Sequence, residues 1–86
     1  MRPDVKYVII DGKAIIFSDR FQHSDMVGHG QIAEGAGFVF FRSTINEHGE
    51  SRVEAVAGGM SASLGVESRG EIDSAIITRQ IANPSY

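Results

Sequence analysis

The sequence predicts an α+β fold: an antiparallel sheet of four to five strands, a β-hairpin followed by a β-meander, with one C-terminal helix packed on a face. Three observations carry this. Several runs alternate apolar and polar residues at the period of a half-buried strand. Asp11-Gly12 and Gly58-Gly59 each separate two such runs, and two-residue turns of this kind join antiparallel strands. Beyond them, Ser68-Arg69-Gly70-Glu71 has the S-x-x-E form of a helix start, and Asn83-Pro84 supplies a stop, because the residue before a proline is pushed out of the α region.

The first hairpin joins Val5–Ile10 to Ala14–Ser18. A type I′ turn at Asp11-Gly12 pairs Ile10 with Lys13, Ile9 with Ala14, Val8 with Ile15 and Tyr7 with Ile16. Val5, Tyr7, Ile9, Ala14 and Ile16 then share one face, and Val8, Ile10, Ile15 and Phe17 the other. Both faces are apolar. One helix cannot cover both sides of a sheet, so a second cover is expected.

Residues Asp19 to Gly35 break the pattern, with His23, His29 and three glycines among polar side chains. A turn of helix near Ser24–Val27, capped by Ser24, is the one regular feature expected there. Connections this long in small domains tend to be functional or mobile. Ala36–Thr44 reads as the third strand, with Phe38 and Phe40 on one face and Val39 and Phe41 on the other. Asn46-Glu47-His48-Gly49 turns the chain into a fourth strand. Across Gly58-Gly59 the expected register pairs Ala57 with Met60, Ala55 with Ala62, Val53 with Leu64 and Ser51 with Val66, leaving Arg52, Glu54, Ser61 and Ser63 on the solvent face.

In the helix, Ser68 and Glu71 are expected to form a reciprocal capping box, with Glu71 and Asp73 near the positive end of the helix dipole. Gly70 would then lie inside the first turn at a cost of about 1 kcal/mol. Ile72, Ala75 and Ile76 form one apolar strip; Ile77 and Ile81 form another, with Asp73 and Gln80 between them. Two strips admit two readings: a helix set in a broad groove, or one strip on its own sheet and the other on a second subunit. The second makes Ile77, Ile81, Asp73 and Gln80 the expected interface.

The 86 residues form a single domain, 1–86, and a chain of this length buries only about 60–65% of its unfolded surface. A small core and two-sided strands together favour a homo-oligomer, most simply a dimer. The net charge of −3 and eight scattered basic residues argue against a nucleic-acid surface, which needs clustered Lys and Arg. There is no cysteine, hence no disulfide and no thiolate metal site. No apolar run reaches the length of a membrane span, and Met1-Arg2-Pro3-Asp4 does not open a signal peptide, so a soluble cytoplasmic protein is expected.

No motif specifies a catalyst. His23, Asp25 and His29 could supply a facial metal triad, but their spacing matches no H-E-x-x-H pattern, and a solvated loop accounts for them as well. A hydrolase could draw on Ser24 or Ser61, His23 or His29, and Asp19 or Asp25; yet Gly59-Met60-Ser61-Ala62-Ser63 lacks the last glycine of a nucleophile elbow. At the helix start, exposed N–H groups beside Arg69 could hold an anion, though capping uses some of them. The expected function is therefore a small, non-catalytic, homo-oligomeric binding module for a protein partner or a small anionic ligand. It has no cofactor, catalytic residue or metal, and does not bind nucleic acid or membrane. Its ligand-binding candidates are Arg20, His23, Ser24, Asp25, His29 and Arg69, near a subunit boundary. The alternatives are a hydrolase or metal-dependent enzyme centred on residues 19–35, and a structural assembly subunit.

Overall fold

The computed structural model describes residues 5–82. Strands β1 (Val5–Ile10), β2 (Lys13–Ser18), β3 (Gly35–Ile45) and β4 (Ser51–Gly58) make one antiparallel sheet in the order β2-β1-β3-β4. Two short strands, β5 (Met60–Ser61) and β6 (Val66–Glu67), pair only with each other, and helix α1 (Glu71–Ala82) follows. The fold is thus α+β, a four-stranded antiparallel sheet with one C-terminal helix packed on it. The helix ends at the limit of description, so the stop signal at Asn83-Pro84 lies outside the described residues. No helix among the described residues is long and apolar enough to cross a membrane.

The first hairpin has the register its turn dictates. Asp11 and Gly12 both take positive φ, 52° and 74°, as a type I′ turn requires, and Ile10 pairs with Lys13, Val8 with Ile15. Its two faces feed two cores. Tyr7, Ile9 and Ala14 pack with Val39, Ala55 and the helix residue Ile77. On the opposite face Val8, Ile10, Phe17 and Ala36 are covered by Met26, Val27 and Ala33 of the β2–β3 connection and by Leu64 and Val66. The second cover comes from within the chain. Because β3 pairs with β1 on the side away from β2, residues 19–34 must cross a sheet face, and their apolar side chains close it.

The second hairpin does not form as expected. β4 pairs with β3 alone, and Met60–Ser61 folds back onto Val66–Glu67. The helix holds the far edge of β4 instead: Thr78 Oγ1 accepts the Ala55 N–H and Ser74 Oγ the Ala57 N–H, each at 2.9 Å. That removes the donors a β5 partner would need, and frees Leu64 and Val66 to cover the second core. Ser61, expected in solvent, is fully buried; its carbonyl accepts the Gly65 N–H at 2.9 Å and its Oγ the Leu64 N–H at 3.2 Å.

On the other edge of the sheet, the Gln80 amide bonds both backbone groups of Ala14, at 2.9 and 2.8 Å. The helix therefore ties down both edge strands, as a stave closing a curled sheet. Edge strands left open invite foreign pairing, and polar helix side chains blunt them here.

The helix start also differs. Gly70 has φ +50° and its carbonyl accepts the Ser74 N–H, so Gly70 caps the helix from outside it. The capping box expected of Ser68 and Glu71 is absent. Ser68 Oγ accepts the Gly70 N–H at 3.1 Å, and the acid that reaches back is Asp73, the third helical residue, which accepts the Arg69 N–H at 3.0 Å. The helix begins two residues later than the S-x-x-E frame implies, and its functional acid moves by two.

Candidate functional site

Asp73 anchors the densest polar cluster. Its side chain is fully buried and accepts the Arg69 Nε–H at 2.8 Å in addition to the backbone bond. Tyr7 Oη lies 2.6 Å from Asp73 Oδ2 and 2.6 Å from Ser68 Oγ. The phenol has one proton and the carboxylate can only accept, so Tyr7 donates to Asp73 and receives the Ser68 proton. Burial, and then the bond to Asp73, push the Tyr7 hydroxyl above its ordinary value, which keeps it protonated. Gly35 makes room for the carboxylate: a Cβ there would collide with it. A buried carboxylate with three donors is a structural solution, and a permanently protonated phenol is no general base.

The ligand-binding candidates are dispersed. Arg20 and His29 are exposed, with no side-chain hydrogen bond among the described residues. His23 is buried; its Nε2 donates to the Gly37 carbonyl at 2.8 Å, and its ring meets Phe17 and Phe38 edge-on, with centroids 5.4 and 6.0 Å away. Ser24 was expected to cap a helical turn; the turn found is 3-10, His23–Met26, with Gln22 at the cap. Asp25 Oδ2 accepts the Gln22 N–H at 2.9 Å, and the Ser24 N–H reaches Ser63 Oγ at 3.3 Å. These contacts seat the connection on the second core. Arg69 serves Asp73, so the helix start holds an internal carboxylate where an external anion was expected. Among the described residues no three of His, Cys, Asp and Glu lie close enough to hold a metal ion. Among the described residues the Ser61 hydroxyl has only Ser63 and Leu64 as partners, neither an acid nor a base.

The expected interface divides in the same way. Asp73 and Ile77 are fully buried inside the chain, and Gln80 is engaged by Ala14. Ile81, at 37% exposure, and Gln80 offer surface. Asp73 lies on the inward stripe because it has polar partners there, which a hydrophobicity pattern does not register; Gln80 is exposed, and its amide reaches the sheet edge at Ala14.

Two surface features were not anticipated. The first is the far half of the β3–β4 ribbon. Among the described residues β1 pairs with β3 as far as Val39, whereas β3 and β4 continue together to Ile45 and Ser51. This two-stranded extension exposes Phe40 (49%), Phe41 (40%), Ile45 (74%) and Val53 (49%). By strand alternation Phe41, Ser43, Ile45, Ser51 and Val53 share the helix-side face, which bears no charge. Arg42, Arg52 and Glu54 lie on the other, where Arg42 and Glu54 form an exposed ion pair at 3.2 Å.

The second is an open groove between β4 and α1. Ala55, Ala57, Ser74 and Thr78 line its middle; Arg42, Arg52 and Arg79 also line it, as do Glu54 and Glu71. Among the described residues Arg52 and Arg79 have no ion-pair partner. Compared with protein-family models, with curated proteins and with solved structures, the chain shows no match.

Proposed function

We propose that the chain is a non-catalytic, homodimeric protein-binding module. The observation that carries this is the ribbon extension, with four large apolar side chains held in water where, among the described residues, no third strand lies beside it. Two strands alone are marginal in water, and apolar patches of this kind mark contact surfaces. A two-fold contact sets a surface against itself, so a charge near the axis meets its own copy; the uncharged face of Phe41, Ile45 and Val53 avoids this. The groove beside β4 adjoins the same region through Val53 and Ile81, so a partner site would lie near the subunit boundary. The polar clusters favour binding over catalysis, since Tyr7, Asp73, Ser61 and His23 are each engaged in holding the fold.

Sedimentation velocity tests the proposal. At micromolar concentration the wild type should run as a dimer, and the double variant Phe41→Ser/Val53→Asp as a folded monomer with unchanged far-UV circular dichroism. A monomeric wild type removes the proposal. Metal bound stoichiometrically by the wild type and lost in His23→Ala would favour an enzyme instead.

A further inference from the structure

We infer that the groove between β4 and α1 is a docking groove for an acidic, aliphatic segment of a protein partner. The inference deepens the binding-module reading and rests on it. The groove is lined by three arginines and two glutamates, in a chain whose net charge is −3. Among the described residues Arg42 is matched by Glu54, which leaves Arg52 and Arg79 against Glu71. Arg79 belongs to the last helical turn and Glu71 to the first, so the excess positive charge lies toward one end of the groove.

The middle of the groove adds donors. Ser74 Oγ and Thr78 Oγ1 each accept a β4 amide, and a hydroxyl that accepts one bond retains its own proton to give. Among the described residues neither hydroxyl has an acceptor. Two arginines on the groove lining and two hydroxyl protons without an acceptor among the described residues call for an occupant rich in acceptors. Carboxylates meet arginine forks at twice the strength of neutral partners. Ala75 and Ile81 supply apolar wall beside the donors, which suits aliphatic side chains next to the acids. The same hydroxyls cap the outward N–H groups of Ala55 and Ala57, so the segment is held by its side chains and does not add as a strand.

Two pools of fluorescein-labelled octapeptides test this: one mixing Asp and Glu with Leu and Val, the other with Lys replacing the acids. The acidic pool should bind, as read by anisotropy, and should shift the backbone amides of residues 52–57 and 74–79 in nitrogen-15 spectra. The double variant Arg52→Glu/Arg79→Glu should weaken binding by about tenfold or more, because two charge-assisted contacts reverse sign. Arg79→Gln alone, a milder change at an exposed position, should weaken it in the same direction. Sedimentation of both variants should match the wild type, so that loss of docking is separable from loss of dimerisation. Equal binding of the two pools, shifts centred on Phe40 and Phe41, no binding up to millimolar peptide, or tighter binding of a short oligothymidylate at the same amides would overturn the inference.

Discussion

The two ends of strand β3 are built oppositely. Gly35, Ala36 and Gly37 begin it, buried and nearly without side chains; Phe40, Phe41 and Ile45 end it, large and exposed. At the small end other groups come close. The Asp73 carboxylate sits over Gly35, the Gly58 carbonyl over Gly37, and His23 bonds the Gly37 carbonyl. At the large end, among the described residues, β4 alone runs alongside, and the side chains stay exposed. Order in a domain this small comes as much from places where side chains are missing as from apolar bulk, and the bulk left over faces outward.

The sharpest way to break this contrast is at the small end. Asp73→Ala should cost about 3–5 kcal/mol in urea unfolding, because the Tyr7 hydroxyl and the Arg69 donors lose a buried charged partner. A loss under about 1 kcal/mol would show that the cluster does not hold the helix start. Gly35→Ala should cost about 1–3 kcal/mol by overpacking, and less in the Asp73→Ala background, where the colliding carboxylate is gone. Simple additivity of the two substitutions would separate the glycine from the acid. Ser74→Ala and Thr78→Ala should each cost about 1 kcal/mol, as each leaves a β4 amide unpaired. At the large end, Ile45→Ser should alter the stability of the isolated subunit by no more than about 0.5 kcal/mol, a change set by surface exposure.

Alkaline pH probes the small end in another way. The unfolded Tyr7 loses its proton near pH 10, whereas the folded one, raised by burial, keeps it. Its contribution is complete below about pH 10 and is lost as pH climbs toward the folded value. Above that point the wild-type unfolding midpoint should fall more steeply than that of Tyr7→Phe. Parallel curves would mean that Tyr7 is not desolvated.

The first hairpin was legible residue by residue, since a turn requiring positive φ and a period of two are both local. So was the helix as an element. The register after Gly58 was not. A glycine pair joins strands only if the next strand has an open edge to join, and Ser74 and Thr78, hydroxyl side chains more than a dozen residues later, had taken it. The capping residues misled for a related reason: S-x-x-E identifies a helix start, but a tyrosine at position 7 drew Ser68 away and gave the role of the reaching acid to Asp73. Of the candidate site, the 19–35 connection was picked out for its histidines, yet His23 serves to pin it to the sheet. The β4–α1 groove had no sequence signal, because it is made of residues from distant segments.

By itself the sequence determined the fold class, the first hairpin with its two greasy faces, and the need for a second cover. Those follow from dihedral preferences and side-chain alternation, which act over a few residues. Only the tertiary structure decided that the cover is the chain's own connection, that the helix seals both sheet edges, and that a patch of exposed apolar surface lies on the β3–β4 ribbon. Each of these is a competition between distant groups for the same buried position or the same backbone amide, and its outcome depends on which group can reach it.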